Sequence, residues 1–199
     1  MIIDMNDNRN NLFPVFFKLE EMRLLMIGAG EIGFEKLNTV LSNTPNAQVT
    51  VVATFIRNEV HELALQHANV QLIHAAYQPG FLDDCDLVIA AVNDIELAER
   101  IRKDTREKGK LLNAADKPSL CDFYLGSVIT KGDIKIAIST NGKSPTLARR
   151  LKEFFNEALP EEIESLVTNL NTIRNNIQSG LKERIKKLNE ITASLVDDK

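Results

Sequence analysis

The stretch Arg23-Leu24-Leu25-Met26-Ile27-Gly28-Ala29-Gly30-Glu31-Ile32-Gly33 joins an apolar run to three glycines in G-x-G-x-x-G spacing. Such a run suits a buried strand. The glycines suit a tight turn into a helix, where a dinucleotide pyrophosphate can rest on backbone N–H groups. The spacing alone is weak, but an amphipathic helix follows (Phe34, Leu37, Val40, Leu41), and then a second strand at Ala47–Ala53. Together these predict a βαβ unit of about thirty residues. Two readings fit the glycines: a bound dinucleotide, or a doubly wound domain in which they serve only the turn.

One element of the dinucleotide pattern is missing. Asp or Glu usually stands about twenty residues past the glycines to hold the adenine ribose 2′-hydroxyl. Here that region reads Ala53, Thr54, Phe55. Without the carboxylate a 2′-phosphate is not excluded. Arg57 is close enough in the chain to bind one, or it is a solvated loop residue.

The chain has 199 residues, enough for one large domain or two small ones. Its net charge of −4 and lack of a strongly basic run argue against a general nucleic-acid or anionic-membrane binder. The start, MIIDMNDNRNN, has no signal-peptide core, and no segment approaches the ~18 apolar residues of a membrane span. Cys85 and Cys121 are the only cysteines, expected as free thiols in a cytoplasmic protein. His61, His67 and His74 lack ligand spacing, so no metal site is expected. No G-x-S-x-G or Cys/His pattern suggests a covalent nucleophile.

Further along, Pro14–Leu19 is expected as a short strand beside the first. Val70–His74, Asp86–Val92 and Leu111–Ala115 read as the third, fourth and fifth strands, with a helix over Ile95–Lys108 stopped by Gly109. Alternating β and α implies a mostly parallel sheet with helices on both faces. After Asp116 the pattern changes. Phe123–Thr130 and Ile134–Thr140 form a predicted hairpin around Lys131-Gly132-Asp133. Ser144 is placed as a helix N-cap and Pro145 as the first helical residue, with Leu147, Leu151, Phe154 and Phe155 as a buried stripe. Two further stripes follow, Ile163/Leu166/Leu170/Ile173/Ile177 and, after Ser179-Gly180, Leu181/Ile185/Leu188/Ile191/Leu195. They pack either on the chain's own domain or on a second copy.

Three blocks in order resemble the precorrin-2 dehydrogenases of sirohaem synthesis, including the N-terminal half of sirohaem synthase. They are PVFFKLEEMRLLMIGAGEIGFEK, YQPGFLDDCDLVIAAVND and NAADKPSLCDFYLGSVITKGDIKIAISTNGKSPTLARRLKE. The resemblance covers about residues 13 to 160. Its most specific part is N-x-x-D-x-P-x-x-C-D-F followed by S-T-N-G-x-S-P. It implies an α/β fold: a Rossmann-type NAD-binding domain at 1–115, a hairpin with active-site and dimerisation functions at 116–145, and a helical region at 146–199. It also implies NAD-dependent oxidation of precorrin-2 to sirohydrochlorin by a homodimer. Some relatives insert ferrous iron into sirohydrochlorin as well. The chain ends at Lys199, too short for the methyltransferase domain of the multifunctional enzymes, so that activity is expected to be absent.

The cofactor would rest on Gly28, Gly30, Glu31, Ile32 and Gly33, with Ala53 and Thr54 at the adenosine and Asn93 at the carboxyl edge of the sheet. For Asn93 a plain turn residue explains the position equally well. Asp116 corresponds to the family's catalytic aspartate. A carboxylate there, if burial makes it basic enough, can take a proton from a pyrrole N–H or an adjacent carbon; the bland alternative is a turn cap before Lys117-Pro118. Asp122 is read as structural. Ser144 and the amides of its helix, with Lys143 and Arg149 as cations, would hold substrate carboxylates; a simple cap also accounts for Ser144. Two other functions compete. A nucleotide-sensing regulatory module explains the glycines and the helical tail but not the two specific blocks. A ferrochelatase with a vestigial dinucleotide site is the third.

Overall fold

The computed structural model of the chain describes residues 10–161, 163–176 and 180–193. Ile177, Ser179 and Leu195 of the expected stripes, the side chain of Leu181 and residues 1–9 lie outside the described set. Contacts divide the chain into two units, one of residues up to 126 together with 139–145, the other of 127–138 and the residues after 145.

The first unit is built on five parallel strands in the order β3-β2-β1-β4-β5, with β1 at Arg23–Ala29, β2 at Gln48–Ile56, β3 at Val70–His74, β4 at Leu87–Ala90 and β5 at Leu111–Ala114. Side chains alternate between the two faces of each strand. Leu24, Met26, Val49 and Val51 point to the face covered by α1 (Glu31–Asn43) through Leu37, Val40 and Leu41 and by α2 (Asn58–Leu65) through Val60. Leu25, Ile27, Val52 and Val88 point to the other face, where α3 (Ile95–Glu107) contributes Ile101. Burial on both faces explains why β1 and β4 are unbroken apolar runs. Asp94 caps α3, its side chain accepting from the Leu97 N–H at 3.1 Å, and Gly109 ends the helix in the left-handed region at φ 64°.

Two boundaries differ from the sequence expectation. Pro14–Leu19 does not add a strand, and a 3-10 turn occupies Leu19–Glu21 instead. The reason is topological: β1 is the central strand, paired with β2 on one side and β4 on the other, so it has no free edge. β2 also runs past Ala53 to Ile56. Its register with β1 shifts between Ile27, which pairs with Val52, and Ala29, which pairs with Ile56, so the extra residues of the irregularity lie on β2.

The second unit holds the antiparallel hairpin β6 (Ser127–Lys131) and β7 (Ile134–Ile138), turned at Gly132, and the helices α4 (Pro145–Ala158), α5 (Ile163–Asn176) and α6 (Leu181–Thr192). The stripe expected on α4 is not buried. Leu147 is 51% and Phe154 61% exposed, while Ala148 is the buried position. Among this unit's described residues only Ile129 and Ala148 are fully buried. The 3-4 apolar spacing is present, but the single chain does not cover it.

Candidate functional site

A cleft of about 540 Å³ opens at the carboxyl ends of β1, β2 and β4. This is where open α/β sheets bind ligands, at the point where strand order reverses about β1. Its wall carries Gly28, Gly30, Glu31, Ile32, Ala53, Thr54 and Asn93, seven of the residues the sequence pointed to. Phe55, Tyr77, Leu97 and Arg100 also line it. Tyr77 is held there by its hydroxyl donating to Asp104 at 3.0 Å and by the Arg100 guanidinium 5.6 Å from the ring centroid. Phe55 lies at the end of β2, in the region already searched for an acidic residue, whereas Tyr77 comes from a loop and Leu97 and Arg100 from α3, without a local motif that marks them as cleft residues.

The three glycines differ in what they do. Gly28 has φ 99°, and a Cβ there would stand 2.3 Å from the Ala91 carbonyl oxygen. A Cβ on Gly33 would stand 2.4 Å from the Gly28 carbonyl oxygen. Both are therefore required by the packing of the turn. At Gly30 a Cβ would meet nothing within 4 Å, and its φ of −79° suits any residue. The protein's own packing gives no reason for glycine there, whereas a phosphate approaching the backbone does. Gly30 is also the N-cap of α1 and provides no capping side chain, so the first-turn amides remain available to an anion. The turn thus fits a dinucleotide pyrophosphate.

Arg57 lies in the loop between β2 and α2 with its side chain 36% exposed, and it is ion-paired there. Its N–H donates to the Ala29 carbonyl at 3.1 Å, and it caps the start of α2. Its guanidinium donates twice to Glu59, Nε to Oε2 at 3.2 Å and Nη2 to Oε1 at 2.5 Å, with Glu31 Oε2 4.0 Å from Nη1. The hydrogen bonds from Arg57 hold the Glu59 carboxyl down to about 2, and Glu59 in turn raises Arg57. Glu59 is a further residue that the sequence did not single out. It lies four positions beyond the region searched for an acidic side chain, a consequence of the longer β2.

Asp116 follows β5 at the same edge of the sheet, in the left-handed region at φ 58°. Its side chain is exposed and is not on the cleft wall, so the burial expected around it is not found. Its turn is nonetheless fastened to that wall, since Lys117 Nζ donates to the Val92 carbonyl at 2.8 Å. Beneath the turn, Cys121 Sγ accepts from the Ala114 N–H at 3.2 Å and lies 3.1 Å and 3.4 Å from the carbonyls of Ala114 and Lys117. Burial pushes the Cys121 thiol up, as it does that of Cys85, and both cysteines are free. Asp122 accepts two hydrogen bonds from Arg102 and one from the Leu112 N–H at 2.9 Å. The Arg102 guanidinium holds the Asp122 carboxyl below the usual carboxylate range.

Lys143 and Ser144 lie in the loop between β7 and α4, and neither is on the cleft wall. Ser144 is tied at both backbone groups to the Thr140 hydroxyl, which accepts from its N–H at 3.2 Å and donates to its carbonyl at 3.1 Å. Asn141 and Gly142, both at positive φ, close this turn. Arg149 is exposed on α4, its Nε 4.0 Å from Glu153. Among the described residues no group of three or more His, Cys, Asp or Glu is arranged to hold a metal, and no helix is long and apolar enough to cross a membrane.

A family model described as "Putative NAD(P)-binding" matches residues 15–127, and another, "Sirohaem biosynthesis protein central", matches residues 131–157. The siroheme synthase of Psychrobacter cryohalolentis is 32% identical over 171 residues, 86% of this chain and 32% of that protein. Siroheme synthase 1 of Klebsiella pneumoniae is 32% identical over 168 residues, 84% of this chain and 35% of that protein. The chain therefore spans about a third of the length of these curated relatives. The solved structure of "SirC, precorrin-2 dehydrogenase" shares the fold with a TM-score of 0.70 at 22% identity, covering 94% of this chain and 90% of that one.

Proposed function

The chain belongs to the NAD(P)-binding family whose model spans residues 15–127, and from that membership we propose that it oxidises precorrin-2 to sirohydrochlorin with NAD as the acceptor. The observation that carries the proposal is the pairing of two turns at one sheet edge. One is the glycine turn with its open backbone at Gly30; the other is the Asp116 turn, fastened to the cleft wall through Lys117. The sirohaem biosynthesis match over 131–157 and the siroheme synthase relatives supply the substrate class.

In the reaction the substrate loses a hydride and a proton, and NAD, when bound, accepts the hydride. The amides at the start of α1 hold the phosphates, and the backbone around Ala53 and Thr54 borders the adenosine. Asn93, on the cleft wall, orients the nicotinamide end. Asp116 takes the proton as general base, and a bound macrocycle supplies the cover that the free chain leaves off its carboxylate. Lys143, Ser144 and Arg149 are assigned to the carboxylate arms of the substrate.

We further read the protein as a homodimer. Leu147 and Phe154 on α4 and Ile185 and Ile191 on α6 are exposed at 45% or more, in a unit with only two fully buried residues among those described. A second copy covering these side chains would give the helices the burial they need to be stable. Two free thiols suit the reducing cytoplasm. The test is anaerobic turnover of precorrin-2 with NAD, followed at the absorbance of sirohydrochlorin and of reduced nicotinamide. Equimolar appearance of the two products is expected, and no oxidation under saturating NAD refutes the assignment. Adding ferrous iron after the oxidation reads metal insertion separately.

A further inference from the structure

Arg57 stands immediately after β2, whose carboxyl end carries the adenosine side of a dinucleotide in this topology. A free arginine there is the usual receptor for a 2′-phosphate. This one is engaged. Glu59 takes Nε and Nη2 together, and Glu31, itself on the cleft wall, faces Nη1 at 4.0 Å. The three side chains sum to one net negative charge. A 2′-phosphate brought to this corner would meet two carboxylates and a guanidinium whose best-directed donors are already used. A ribose 2′-hydroxyl, by contrast, can donate to a carboxylate and gains from the same field. Two carboxylates placed elsewhere thus stand near the position where β2 lacks its acidic residue: Glu31, which opens α1 and lies on the cleft wall, and Glu59, in the first turn of α2, which is behind that wall lining and joined to Glu31 through Arg57.

We propose that Glu59, by holding the Arg57 guanidinium and adding its own negative charge, sets the cleft to bind NAD and to reject NADP, with Glu31 as the second acidic contributor. The proposal rests on the assignment of the cleft to a nicotinamide dinucleotide. Removing one carboxylate both frees two donors of Arg57 and makes the corner electrically neutral. One like-charge contact screened almost as fully as in bulk water, as at this exposed corner, corresponds to roughly a five- to tenfold change in affinity.

The test is equilibrium binding, with the full chain titrated with NADH and NADPH and followed by nucleotide fluorescence and calorimetry. The wild type should bind NADH at least about tenfold more tightly than NADPH. E59Q should bind NADPH about tenfold more tightly than the wild type does, with NADH changing by less than about threefold, and E31Q/E59Q should go further in the same direction. Adding R57A to E59Q should erase the gain, because the donor that E59Q releases is then gone. Thermal melts of each variant confirm that it is folded, and the 89% exposed Glu31 side chain makes E31Q a safe second substitution. If E59Q leaves NADPH affinity unchanged while the wild type still binds NADH, the charge device is refuted and the nucleotide cleft stands. If the wild type binds neither nucleotide, the cleft assignment fails and the proposal falls with it.

Discussion

The glycine turn yields its sharpest prediction at Gly30, because the same one-carbon change has opposite meanings at neighbouring positions. In Gly30→Ala the new Cβ meets no protein atom within 4 Å, and φ −79° is comfortable for alanine. The folding penalty is then only that of a poorer N-cap, about 0.5–1 kcal/mol, or a melting shift of about 1–4 °C in a chain of this size. In Gly28→Ala the Cβ stands 2.3 Å from a backbone oxygen at φ 99°, where no rotation relieves it. Displacing β4 or the turn should cost upwards of about 3 kcal/mol. Nucleotide binding reverses the order of severity per unit of stability lost. The Gly30 methyl occupies space that the pyrophosphate needs, so NADH affinity should drop by about a hundredfold in a protein that melts almost normally. Paired thermal melts and NADH titrations of the two variants decide the matter. Near-wild-type NADH affinity in folded Gly30→Ala would show that the phosphates lie elsewhere, and the assignment of the open backbone to them would be wrong.

Asp116→Asn should fold and bind NADH within about twofold of the wild type, since asparagine tolerates φ 58° as well as aspartate does, while precorrin-2 turnover falls by about a hundredfold or more; retained turnover removes Asp116 from the chemistry. Asp122→Ala strands the Arg102 guanidinium, whose side chain is only 11% exposed, and should cost about 2–3 kcal/mol in urea unfolding without changing the nicotinamide preference. Stability should also depend on pH with a definite sign. Asp122 and Glu59 both have carboxyls depressed in the folded chain, Glu59 to about 2, so their contribution is complete above the unfolded value of about 4 and is lost as pH falls through the folded values. Melting temperature should hold between pH 5 and 7 and decline below about 4, less steeply in Asp122→Asn, and a wild-type profile that is flat to pH 2 contradicts the pairing.

What could be read in the chain without its structure follows from how locally each feature is determined. The glycine turn and the Gly109 stop each depend on a few consecutive residues, and their patterns survive into the fold. Pro14–Leu19 has strand-like composition, but whether it pairs depends on a free edge, and β1 spends both edges on β2 and β4. The α4 stripe shows the same limit from the other side. Its periodicity is correct, yet burial of Leu147 and Phe154 depends on what covers them, which a single chain's sequence does not say. The sequence points to Arg57 but not to its partner Glu59, because β2 runs on to Ile56 and the acidic side chain stands in the first turn of α2, beyond the window where such folds usually keep it.

The block from Asn113 to Phe123 shows most clearly why a short motif can be specific. Asp116 must hold a left-handed conformation, which a non-glycine residue adopts at a cost of about 1 kcal/mol unless the surroundings impose it. Asn113, Lys117, Cys121 and Asp122 help to impose it. The Asn113 amide donates to the Phe123 carbonyl at 2.8 Å and closes the loop at its base. Cys121 clasps both flanks of the turn, Asp122 welds the return segment to β5 and α3, and Lys117 ties the crest to the loop after β4. Proline at position 118 starts the 3-10 turn that brings Cys121 underneath. Cys121→Ser, with its shorter bonds and stronger preference for water, should therefore loosen the turn more than it unfolds the domain. The expected signature is a fall in kcat with unchanged NADH affinity, and equal loss of both would mean that the thiol supports the sheet as a whole rather than the presentation of Asp116.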